Sequence, residues 1–215
     1  MKDRWTWILS LLIILAAVLL SLIAGPALPE RTATHWNALG QADGYSSRLM
    51  AMLLTPLIMA GITLLLLAIP QIDPLKANIE YFRTDYNLFI VLMNLFMLYV
   101  HVLTIAWGLG VRFDMNRAIP PAFGLLFFFI GVLLGKARRN YMIGIRTPWT
   151  LASETVWDKT HRLGGLLFKI CGGLALAGVF FPAYTYWFVL LPVLAAALWL
   201  MIYSYFLYRR EETRA

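Results

Sequence analysis

The chain has 215 residues, 61% of them hydrophobic and only 13% charged, with a mean hydropathy of +0.73. Soluble domains carry about 25% charged residues, so an ordinary water-soluble globule is excluded. The net charge of +7 sits in small groups beside apolar runs and forms no separate basic domain. That pattern fits a membrane topology signal and gives no direct nucleic-acid partner.

Six apolar stretches, residues 5–24, 49–69, 88–109, 119–135, 163–181 and 184–208, approach the ~20 residues that cross a hydrocarbon core. Backbone groups find no water there, so each stretch must close its own hydrogen bonds as a helix. The expected fold is an all-α polytopic membrane protein, a single domain over residues 1–215 with six transmembrane helices. The first stretch follows Lys2 and Arg4 and exceeds the ~7 to 15 residue core of a cleaved signal, so it reads as an anchor.

Two connections are longer than helix-to-helix turns need. The first, residues 25–48, contains LPERTATHWNALGQADGYSSR. His35, Trp36, Asn37 and Gly40 precede Asp43-Gly44, a dipeptide that favours a tight turn with positive φ, so a compact ordered loop is expected. His35 and Asp43 can serve as polar contacts for an external ligand, with Trp36 as an aromatic anchor. Equally, Trp36 can dip into the membrane interface while His35 and Asn37 cap turns. One His and one Asp are too few for a metal site.

Pro56 lies inside the second helix, and residues 70–87 read as a short solvated amphipathic segment with no role beyond topology. The third helix carries His101, with Asn94 and Asn87 at seven-residue intervals. Ionisable groups at that depth are costly, so this seam either lines a cavity or bonds helix to helix. Pro120 and Pro121 suit the first turn of the fourth helix, and Gly131-x-x-x-Gly135 with Gly172, Gly173, Ala177 and Gly178 predicts close packing of helices four and five. Lys169 lies near enough to the membrane surface to snorkel. Cys171 stands alone, which rules out an intrachain disulfide, and Pro192 interrupts the sixth helix. Trp5, Trp7, Trp107, Tyr186, Trp187, Tyr203, Tyr205 and Tyr208 read as interfacial anchors.

The second long connection, residues 136–162, holds NYMIGIRTPWT followed by SETVWDKTHRLGG. Gly144 permits a bend, Thr147-Pro148 extends the chain, and Thr150 or Ser153 can cap a helix with Glu154 near its positive end. Trp157 and His161 share a face of that helix, and Asp158 and Arg162 can pair across one turn. Arg146 offers a planar fork for a carboxylate or phosphate, with Trp149 and Trp157 framing an apolar partner. A lipid-facing amphipathic helix would use the same residues.

Lys and Arg fix the expected orientation. With the N-terminus inside, Lys2, Arg4, Lys76, Arg83, Lys136, Arg138, Arg139, Arg146, Lys159, Arg162, Arg209, Arg210 and Arg214 are cytoplasmic, against Arg31, Arg48, Arg112 and Arg117 outside. Both termini are then cytoplasmic, the first loop extracellular and the second cytoplasmic, with anionic membrane lipid as a natural partner.

These two loops resemble the SdpI-like integral membrane proteins associated with bacteriocin immunity. NYMIGIRTPWTL running into VWDKTHRLGG is similar to the immunity motif, and LPERTATHWNALGQADGYSS to the unnamed domain that often precedes it. The resemblance implies protection from a secreted membrane-active peptide toxin in the bacterial cell membrane. In the best-understood members it also implies a cytoplasmic repressor held at the membrane. Carried over by position, the motif residues are Asn140, Gly144, Arg146, Thr147, Pro148, Trp149, Thr150, Trp157, Thr160, His161, Gly164 and Gly165. Two other classes remain open. A transporter would depend on His101, although carboxylates are absent at mid-membrane. A lipid-acting enzyme would use Glu154, Asp158 and His161, although no HExxH, GxSxG or Gly-rich phosphate loop is present and no cofactor is expected.

Overall fold

The computed structural model describes residues 4–213, so Lys2 and Arg214 of the charge pattern lie outside the described residues. Six helices are long and apolar enough to cross a membrane. They are α1 (Arg4–Ala24), α2 (Arg48–Ile72), α4 (Arg83–Gly108), α5 (Met115–Leu134), α7 (Glu154–Ala177) and α8 (Thr185–Glu212). Two short helices, α3 (Lys76–Ile79) and α6 (Pro148–Ala152), lie in connections. The first long loop is a β-hairpin, β1 (Arg31–Trp36) antiparallel to β2 (Ala42–Ser47), the one sheet among the described residues.

The helices form two groups of three, α1/α2/α4 and α5/α7/α8, which meet where α4 packs on α5. The α5/α7 contact is the tightest. A Cβ on Gly131 would stand 2.6 Å from the Gly165 carbonyl oxygen, and one on Gly172 would stand 2.6 Å from the Gly124 carbonyl oxygen. Backbone lies on backbone there, as the small residues of the two helices predict, although Gly173 faces open space.

Proline does more than bend these helices. It removes the amide that would bond the carbonyl four residues earlier, and in three cases a hydroxyl from another helix faces that carbonyl instead. Ser21 Oγ donates to the Met52 carbonyl (2.8 Å) below Pro56, and Tyr86 Oη donates to the Leu66 carbonyl (2.8 Å) below Pro70. Thr185 Oγ1 lies 3.0 Å from the Asn116 carbonyl below Pro120, shared with the Gly178 carbonyl at 2.8 Å. Pro70 therefore lies within α2, and Pro120 and Pro121 lie beyond the first turn of α5, which Asp114 caps at the Asn116 amide.

The polar seam of α4 bonds helices together. Asn94 exchanges hydrogen bonds with Thr63 of α2 (2.9 Å) and reaches Ser10 of α1. His101 Nε2 lies 2.8 Å from Ser21 Oγ. Because Ser21 already spends its proton on Met52, His101 donates from Nε2 to Ser21 Oγ. Neither residue lines the clefts described below.

Candidate functional site

The two long loops build sites at opposite ends of the bundle. At the signature end, Asn140 is fully buried and is the hub. Its Oδ1 accepts from the Met142 (2.9 Å) and Ile143 (2.6 Å) amides, and its Nδ2 donates to the Arg138 (2.8 Å) and Ile143 (3.0 Å) carbonyls. The chain then turns at Gly144, whose φ of 116° suits glycine and whose missing Cβ leaves room for the His161 ring. His161 Nε2 accepts from the Ile145 amide (2.9 Å), so Nδ1 carries the proton and donates to the Trp157 carbonyl (2.9 Å). The imidazole stacks on Trp157 at 3.9 Å, and Trp157 Nε1 donates to the Ala137 carbonyl at 2.8 Å.

Trp157 is fully buried, so it is not a lipid-facing anchor. Thr147 caps α6 in a reciprocal box with Thr150, whose Oγ1 also donates to the Ile145 carbonyl (2.8 Å). Ser153 caps α7, with Glu154 in its first turn, as the sequence suggests. Thr147 meets Ser204 (3.1 Å) and Ser153 donates to Glu211 (2.6 Å), tying the loop to α8. Thr160 is buried, and its hydroxyl has no hydrogen-bond partner among the described residues.

The candidate residues therefore divide by role. Asn140, Gly144, Thr150, Trp157, Thr160 and His161 are internal framework. Arg146 is exposed and, among the described residues, is held by a bond to the Tyr141 carbonyl (3.0 Å), while half-buried Trp149 lies edge-on to Tyr205. The enzyme constellation does not assemble. His161 turns inward to Ile145, Asp158 is exposed, and Glu154 lies 3.5 Å from Arg139.

The segment 70–87, expected to be solvated, is part of this site. Asp73, 2% exposed, accepts from the Tyr141 amide (2.9 Å), and Asn78 donates to the Arg139 carbonyl (2.7 Å). Arg138 lies over the Tyr81 ring, and Lys136 pairs with Asp85 at 2.6 Å. Ile79, Phe82 and Tyr86 join Trp157 in one core. Lys76 and Glu80 stay exposed and Asp85 is half-buried, whereas Asp73 and Arg83 are buried along with the apolar residues, so the segment packs onto the bundle and is not solvated all round. A cleft of about 400 Å³ opens between the two helix groups here, lined by Ile69, Tyr86, Leu134, Ile143, Gly144 and Phe168 among others.

At the hairpin end the turn is not at Asp43-Gly44, which is extended within β2. The turn is at Asn37, whose Oδ1 accepts from the Leu39 and Gln41 amides, and at Gly40, with φ of 74°. Gly44 instead lies beneath His35, where a Cβ would stand 2.7 Å from the His35 Cβ. His35 Nδ1 thereby reaches Asp43 at 2.6 Å, an exposed pair. Trp36 packs edge-on against Trp107 at 5.8 Å, so Trp107 anchors the hairpin. Asn116, which sequence reasoning missed, donates to the Ala38 carbonyl (3.2 Å) and the Pro182 carbonyl (3.0 Å), joining the hairpin, α5 and the approach to α8.

Beneath the hairpin lies a cleft of about 650 Å³. His35, Trp36, Asn37, Asn116 and Thr185 line its mouth, and Val100, Leu103, Ile119, Phe123 and Val189 line its depth. Met115 to Phe123 along α5 spans about 12 Å at 1.5 Å per residue, so the floor reaches well into the apolar bundle.

Residues 136–204 match the SdpI/YfhL protein family, and residues 12–60 match a domain of unknown function, DUF1648. These stretches contain the signature loop and the hairpin respectively. The chain is 28% identical over 206 residues to the Immunity protein SdpI of Bacillus subtilis (strain 168), covering 94% of this chain and 96% of that protein. No solved structure matches the chain. With both loop motifs in place on six membrane-spanning helices and a relative aligned along nearly its whole length, the chain is an SdpI-like, multi-pass protein of a bacterial membrane.

Proposed function

We propose that this protein protects its cell from a secreted membrane-active peptide, which it takes into the cleft beneath the hairpin. The observation that carries this reading is the two-zone cleft. A polar mouth formed by His35, Trp36, Asn37 and Asn116 opens onto an apolar shaft between α4, α5 and α8. Such a shape suits an amphipathic segment, with its apolar side in the shaft and its polar groups at the hairpin. That the Bacillus subtilis relative is an immunity protein points the same way.

The orientation we propose places the hairpin outside and the signature loop in the cytoplasm, following the distribution of Lys and Arg. The exposed Arg146, with Tyr141 beside it, is then available to a cytoplasmic partner such as a repressor. We read the role as binding rather than catalysis, because His161 is committed to holding the Ile145 amide.

The test is survival of a toxin-sensitive bacterium expressing this chain, challenged with secreted membrane-active peptides. The arms are wild type, Arg146→Ala and a His35→Ala/Trp36→Ala pair at equal membrane abundance. Wild type should protect, and the hairpin pair should lose protection and peptide binding together. Normal protection by the hairpin pair would overturn recognition at the cleft. Arg146→Ala that protects like wild type and still holds a repressor at the membrane would remove the signature loop from the function.

A further inference from the structure

The lipid-facing side of α7 carries three cations in register. Lys159, Arg162, Leu166, Lys169 and Gly173 follow spacings of three, four, three and four, so they form one stripe along the helix. Lys159, Arg162, Leu166 and Lys169 are exposed, and Gly173 has nothing within 4 Å of where its Cβ would be. None of the five lines either cleft.

Among the described residues, none of the three cations is in an ion pair. Asp158, at the edge of the stripe one turn from Arg162, is exposed and also unpaired. Lys169 is the telling residue. It lies within a membrane-spanning helix, seven residues or about 10 Å below Arg162. An ionisable group at that depth is costly and requires a counter-charge or a route to the surface.

Its surroundings supply the route. The Lys169 stem crosses Gly131 of α5, where a Cβ would stand 2.8 Å from Lys169 Cγ. Side chains on a helix lean toward its N-terminus, which for α7 is the signature end. The ammonium is thus drawn toward Arg162 along the exposed side of α7.

We infer that this stripe is a binding site for an anionic phospholipid, its phosphate between Arg162 and Lys169 and an acyl chain along Leu166, Ile170 and the open side of Gly173. Charge complementarity selects an anion, and the depth of Lys169 selects one that enters through the bilayer. The site stands apart from the peptide reading, since it shares no residue with the hairpin cleft.

The full chain, purified in detergent, is titrated with phosphatidylglycerol or phosphatidylcholine, and bound lipids are counted by native mass spectrometry. Phosphatidylglycerol should bind preferentially. Its affinity should fall roughly fivefold for each cation removed in Lys169→Met and Arg162→Gln, as expected for about 1 kcal/mol per cation. Lys169→Arg, and Arg117→Gln at the other end of the bundle, should bind like wild type, which separates a site from general charge or misfolding. Equal binding of the two lipids, an unchanged Lys169→Met, or glycerol phosphate binding as tightly as phosphatidylglycerol would each overturn the assignment.

Discussion

Asn140 and Arg146 lie six residues apart in one motif, yet they do different physical work. Asn140 makes four hydrogen bonds without access to water, so truncating it strands backbone groups at about 1–3 kcal/mol each. Arg146 is exposed, and its one bond, to the Tyr141 carbonyl, has water as a ready substitute. Asn140→Ala should therefore lower the unfolding temperature in detergent by several degrees, while Arg146→Ala changes it by no more than a degree or two. Equal melting shifts for the two variants would show that Arg146 belongs to the framework. The motif was legible as a motif in the sequence, but this division was not. Asp73 and Asn78, which anchor the loop from the other helix group, lie more than 60 residues away in sequence, and no local pattern connects them.

At the level of the helices, the pairing of prolines with foreign hydroxyls gives a sharper test than any single contact. Tyr86→Phe keeps the ring and removes only the donor to the Leu66 carbonyl, which Pro70 leaves without its usual helical partner. The expected cost is about 1–3 kcal/mol, because the carbonyl is left unsatisfied in a dry setting. Pro70→Ala restores an amide to the helix at that point, so the double variant Tyr86→Phe/Pro70→Ala should recover most of the loss. Unfolding midpoints of the four proteins form a double-mutant cycle, and additive effects would refute the pairing. The six spans and the α5/α7 glycine contact could be read from composition and spacing, since apolar length and small residues are local properties. The hairpin could not. Its turn depends on the Asn37 side chain rather than the more familiar Asp43-Gly44, and Gly44 is instead needed beneath His35.

Across the whole molecule, two three-helix groups meet at α4 and α5, with one cleft at each end of the seam. A peptide wedged into the hairpin cleft would press on α4, α5 and α8, and two of these helices also flank the cleft beside the signature loop. This gives the two loops a shared mechanical element, but it matters only if they face opposite compartments. The orientation we propose rests on the basic residues. Arg4, Lys76, Arg83, Lys136, Arg138, Arg139, Arg146, Lys159, Arg162, Arg209 and Arg210 belong to the signature end, against Arg31, Arg48, Arg112 and Arg117 at the hairpin end. Cysteine labelling can decide the matter in a Cys171→Ala background, since the native thiol is buried and free. Gln41 and Asp158 are both exposed and sit at opposite ends. In intact cells a membrane-impermeant maleimide should label Gln41→Cys and spare Asp158→Cys until the membrane is permeabilised. The reverse pattern would put the signature loop on the toxin's side of the membrane, and Arg146 rather than His35 would then be the residue a secreted peptide meets first.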